Sequence, residues 1–148
     1  MLKRKYQLKY ANFNEETGRS MVTIQTPLGE FTASSQCLEE DKDYISSFFG
    51  CEIAEYKAFI KYGNRQIAEQ RKIVAALKRL YTDMTKTHKF NEHSAEAIFV
   101  RKRIELEEKE LDDKVSHLAA IEHNVKCLIV KRDVYTNNLR AKENNLNK

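Results

Sequence analysis

Four histidines, His88, His93, His117 and His123, are the natural places to look for a metal site or a proton carrier, and their spacing supports neither. On a helix His117 and His123 face different directions, and Asp113 with His117 could share a metal only with ligands from elsewhere. The carboxylates Glu105, Glu107, Glu108, Glu110, Asp112 and Asp113 interleave with Lys109 and Lys114, the pattern of a solvated helix face laced with i,i+4 pairs. There is no Gly-rich phosphate loop, no GxSxG and no HExxH. Cys37, Cys51 and Cys127 are odd in number and lack CxxC spacing, which argues against a disulfide framework and a zinc site and leaves three reduced, mostly buried thiols. The expectation is a protein that is not an enzyme and carries no cofactor or metal.

Around the stretch "THKFNEHS" the residue types change character. Tyr81 and Phe90 offer rings on which a base can stack, Asn91 an amide able to read a base edge, and Arg101, Lys102 and Arg103 cationic donors for phosphate. That set could line a nucleotide pocket. Taken singly, each has a plainer role: Asn91 or Ser94 as the N-cap of the following helix, Tyr81 as one more residue of an apolar stripe. The stretch also contains neither Gly nor Pro, although links between helices usually turn on Gly or Asn.

The elements that must position these residues follow from composition and periodicity. A chain of 148 residues with 32% charged residues, one Pro and four Gly has the balance of long solvated helices in a single domain. Its net charge of +4 is too small for a dedicated nucleic-acid binder but suits an anionic ligand. The opening "MLKRKYQLKY" has no apolar signal region, and no window approaches the ~18 apolar residues of a membrane span, so a cytosolic protein is expected.

Within residues 1–36 the pattern has period two from Lys5 to Ser34: Tyr6, Leu8 and Tyr10, then Val22 and Ile24, then Phe31 and Ala33, with "NEETGR" and "TPLGE" as turns. This predicts a three-stranded antiparallel meander whose apolar face needs a helix, from the chain or from a partner, to cover it. "LEEDKDYISSFFG" reads as a short helix stopped by Gly50. From residue 37 onward the rest is a helical hairpin of coiled-coil type. Ile53, Ile60, Ile67, Val74 and Tyr81 recur at heptad spacing, reinforced by Leu77 and Met84 and interrupted at Gly63 and Asn64. A second heptad runs through Ala97, Ile104, Leu111, Leu118 and Val125, joined by Val100, Val115, Ile121 and Leu128. It extends past Leu139, longer than its partner can cover, so Val130, Val134, Tyr135 and Leu139 form an unpaired stripe that favours a homo-oligomer. The fold class is therefore α+β, a small N-terminal sheet followed by a short helix and a long two-helix hairpin.

The stretch "FTASSQCLEEDKDYISSFFGCEIAEYKAFIKY" resembles small phage proteins of Gram-positive hosts, in which a strand leads into an acidic "DKD" turn, a short helix ending "GC" and a helix beginning "IAE". The layout of the whole, over about residues 20–90, is similar to the phage anti-Thoeris sponge family. The resemblance implies a protein that sequesters, without catalysis, a cyclic ADP-ribose isomer made by a TIR-domain enzyme. It further implies cyclic oligonucleotides at a second site and an oligomer ranging from a dimer to a hexamer. It would place Tyr81 and Asn91 at the ligand, and Arg101 or Arg103 at its phosphates. Lys57, within "IAEYKAF", stands where the family commonly has Arg, and an ammonium meets phosphate as a point charge without the planar fork. A contrasting reading is a coiled-coil protein that inhibits a host enzyme or binds nucleic acid through Lys126, Lys131, Arg132 and Arg140.

Overall fold

The computed structural model describes residues 6–37 and 47–148. They form strands β1 (Gln7–Asn14), β2 (Arg19–Thr26) and β3 (Gly29–Gln36), then helices α1 (Ser47–Thr85) and α2 (Ala95–Leu146). The fold is α+β, an antiparallel sheet in the order β1-β2-β3 followed by two long helices. Residues 38–46, most of the expected short helix, lie outside the described residues. Gly50 stops nothing, because it sits in the first turn of α1. Two compact units emerge, one from Arg4–Tyr62 with Ala119–Lys148 and the other from Gly63–Leu118.

In the first unit both hairpin turns rest on local side-chain bonds. Asn14 Oδ1 accepts the amides of Glu16 and Thr17, and Gly18 closes the loop with φ at 69° and its own amide on Asn14 O. Thr26 Oγ1 donates to Gly29 O at 2.7 Å, and Gly29 takes φ at 113°, a conformation that L side chains rarely adopt. Strand β2 is the centre of the sheet, and Ser20, Val22, Ile24 and Thr26 on one face are buried.

Strand β1 departs from the simple alternation. Leu8 pairs with Ile24, but Tyr10 pairs with Thr23, so an extra residue between them shifts the register. A bulge of one residue exchanges the faces beyond it. Ala11 and Phe13 thus pair with Val22 and Ser20 on the core side, while Tyr10 joins Thr23 on the outer one. Leu8 and Tyr10, expected in the core stripe, are both more than half exposed.

The cover over the sheet comes from the same chain. Ile53, Ala54, Ala58, Phe59 and Tyr62 of α1 are buried; the Phe59 ring lies 5.3 Å from Tyr6, and the Tyr62 ring 5.6 Å from Phe31. Lys61 Nζ adds a bond of 2.6 Å to Thr32 O. Gly50 permits the close approach at the helix start, since a methyl there would stand 2.1 Å from Ser20 Oγ. That hydroxyl is buried without a hydrogen-bond partner among the described residues.

The second unit is an antiparallel helix pair, and α1 is not broken at Gly63 and Asn64. Ile67, Val74, Ala97, Val100 and Leu118 are buried, as the heptads predict. The seam also contains a polar layer. Gln70 is only 4% exposed; its Nε2 donates to Glu107 O at 3.0 Å and to the Glu107 carboxylate, while Lys114 Nζ donates to Gln70 Oε1 at 3.0 Å. Lys114 therefore holds the seam position expected for Val115, which is 41% exposed. The reason is spacing: from Leu111 to Leu118 the three-four rhythm of a coiled coil falls on residue 114, one step before the apolar side chain.

Candidate functional site

The link between the helices turns without glycine by using two successive turns and a run of threonines. Phe90 N donates to Thr87 O at 3.1 Å and Ser94 N to Asn91 O at 3.0 Å, and no described non-glycine residue has positive φ. The hydroxyls of Thr82, Thr85 and Thr87 donate to the carbonyls of Lys78, Thr82 and Met84, and of these acceptors Thr82 lies in the last turn of α1, where carbonyls lack an intrahelical partner. Ser94 caps α2: its Oγ accepts the amide of Ala97 at 3.2 Å, and its carbonyl accepts Ile98 N. Asn91 instead holds the amide of His93 at 2.9 Å through Oδ1, an Asx turn. Ser94→Ala should accordingly lower stability by about 1 kcal/mol, and Asn91→Ala by less, in paired melting curves. The reverse order would move the cap to Asn91.

Five of the six residues singled out for ligand binding belong to this unit. Tyr81 and Phe90 meet edge to face, with centroids 6.0 Å apart and planes at 86°. Both rings are half-buried, and next to them Asn91 is exposed with its amide nitrogen bonded to no described residue. The arginines are engaged: Arg101 donates to Glu92 O at 2.7 Å and braces the link, and Arg103 pairs with Glu107 at 2.7 Å. Lys57 is exposed on α1 within the other unit. Beside the link, Met84, Ala95, Phe99 and Val100 line an open apolar hollow of about 720 Å³, with Phe99 69% exposed.

Other side chains escaped the sequence reading. Cys127 is exposed rather than buried, and its Sγ lies 3.5 Å from His123 Nε2; Cys37 and Cys51 are half-buried. The i,i+4 spacing of His123 and Cys127 was the available signal. No cluster of three metal-ligating side chains occurs among the described residues. Tyr135, expected on an unpaired overhang, lies 5.5 Å from the Phe49 ring of α1, and Leu139 is half-buried, whereas Val130 and Val134 are exposed. None of the described helices is long and apolar enough to cross a membrane. No protein family, curated protein or solved structure matches the chain.

Proposed function

We propose that the chain is a phage anti-defence protein that binds a cyclic nucleotide signal, a cyclic ADP-ribose isomer, and withholds it in the host cytosol without altering it. The observation that carries this reading is the Tyr81–Phe90 ring pair beside the uncommitted amide nitrogen of Asn91. An edge-to-face pair leaves the face of one ring for a purine, and a neighbouring amide can address the base edge. The choice of a cyclic ADP-ribose isomer rests on the resemblance over about residues 20–90. Arg101 and Arg103 would exchange their present partners for phosphate. Arg101 would give up a single bond to the Glu92 carbonyl, and Arg103 its i,i+4 pair with Glu107.

The protein would act as a homo-oligomer, a dimer or higher. Ile73, Leu80, Phe99 and Leu106 are each between 45% and 69% exposed, more apolar surface than a helix pair gains by leaving in water. The same residues favour a second reading, a helical interaction protein that docks on a host protein through the hairpin. A basic nucleic-acid face is less favoured, because the net charge of +4 is far from the excess such binders carry.

Calorimetric titration with cyclic ADP-ribose isomers separates these readings. The wild type should bind, and Asn91→Ala, Arg101→Ala and Arg103→Ala should each weaken binding at least about tenfold with little change in melting temperature. Unaltered affinity in all three variants would remove the ligand from the hairpin end.

A further inference from the structure

In the unit that carries the sheet, α1 and α2 form the walls of a half-open hollow of about 470 Å³, with Phe48, Phe49, Glu52 and Tyr56 on one side and Asn124 and Lys131 on the other. The volume falls within the range of small-ligand sites. Its chemistry is divided in a way that a packing defect is not. Three aromatic side chains gather from one helix, and Phe48 remains 63% exposed although its ring meets Phe49 at 5.6 Å. Opposite them stand an amide and an ammonium, and Lys131 forms no ion pair among the described residues. Glu52 supplies a carboxylate that accepts hydrogen bonds from amino or hydroxyl groups.

We propose that this hollow is a ligand site of its own, for a small molecule that combines one flat heteroaromatic ring with one anionic group, as a nucleoside monophosphate does. The ring would lie against Phe48, Phe49 and Tyr56, where stacking and apolar burial act together. The anion would meet Lys131, a flexible point charge suited to phosphate or carboxylate. Asn124 and Glu52 would take the polar edge of the ring or a sugar hydroxyl. The site shares no residue with the hairpin-end set, so it stands or falls separately from the reading given above.

Cys127 provides a built-in reporter, because its exposed thiol also lines the hollow. The experiment measures iodoacetamide alkylation of Cys127 in the full chain by peptide mass spectrometry, with adenosine monophosphate as the probe and adenosine and ribose 5-phosphate as half-ligands. Adenosine monophosphate should slow alkylation of Cys127, at concentrations at least about tenfold below those at which either half-ligand does. Lys131→Gln, a change at an exposed position, should erase the advantage of the nucleotide over adenosine with the melting temperature unchanged. Tyr56→Ala should weaken protection by both. An alkylation rate indifferent to the nucleotide up to millimolar concentration would overturn the proposal, as would protection that persists unaltered in Lys131→Gln. Loss of folding in Tyr56→Ala would leave the lysine variant to decide.

Discussion

Phe59→Ala is expected to destabilise the protein by about 3–5 kcal/mol, a large share of the ~5–15 kcal/mol that holds a typical domain folded. Phe59 is 1% exposed and joins the helix to the sheet, with its ring 5.3 Å from Tyr6 and 6.1 Å from Tyr62. Removing it opens a cavity beside Tyr6 and Tyr62 that a three-stranded sheet has no second layer to close. Urea unfolding is the measurement, with Phe48→Ala as the comparison because that ring is mostly exposed. A loss below about 1 kcal/mol at Phe59 would mean that the sheet does not depend on α1 for its cover.

The second large effect concerns assembly. Phe99→Glu together with Leu106→Glu should convert an oligomer to monomers in light scattering while leaving the helix content intact. Both side chains are over 60% exposed in the single chain, so carboxylates there meet water in the monomer. Across a symmetric interface the same carboxylates would be buried against their own copies, an arrangement that costs several kcal/mol. The notion that the interface instead lies at the far end of α2 predicts the opposite ranking, with Val134→Glu and Leu139→Glu disruptive and the hairpin pair silent. A wild-type protein that is monomeric at all concentrations would contradict both.

The periodicities carried the architecture because each reports a repeated burial. Val22 and Ile24 alternate along β2, and Ile67, Val74, Leu118 and Val125 return every seven residues along the helices, and all six are buried. The features that were not legible are single events. Nothing in "QLKYAN" marks the extra residue that turns Tyr10 outward, since a bulge without glycine has no compositional sign. Gly50 looks like a helix stop, yet it lies inside α1 because a helix pressed against Ser20 needs a residue without a side chain. Lys114 and Glu107 look like surface charges and become seam residues only through Gln70, a partner far away in sequence.

The candidate site divides along the same line. Tyr81 and Phe90 could be seen as rings near one another in the chain, and the structure places them in contact. The engagement of Arg101 with a carbonyl of the link and of Arg103 with Glu107 depends on rotamers and turns that residue types do not encode. The aromatic hollow between Phe48 and Lys131 was invisible for a stronger reason, as its two walls lie on different helices and neither wall alone forms a motif.

The central claim is that this protein holds a cyclic nucleotide and returns it unchanged. Its most direct test is mass spectrometry of the protein purified from cells that express a signalling TIR enzyme, followed by heating and analysis of what is released. The expected result is the intact mass of a cyclic ADP-ribose isomer, in a ratio to protein that falls in the Asn91→Ala variant. Release of a hydrolysed or isomerised product, or protein that emerges from such cells without any nucleotide, would contradict it.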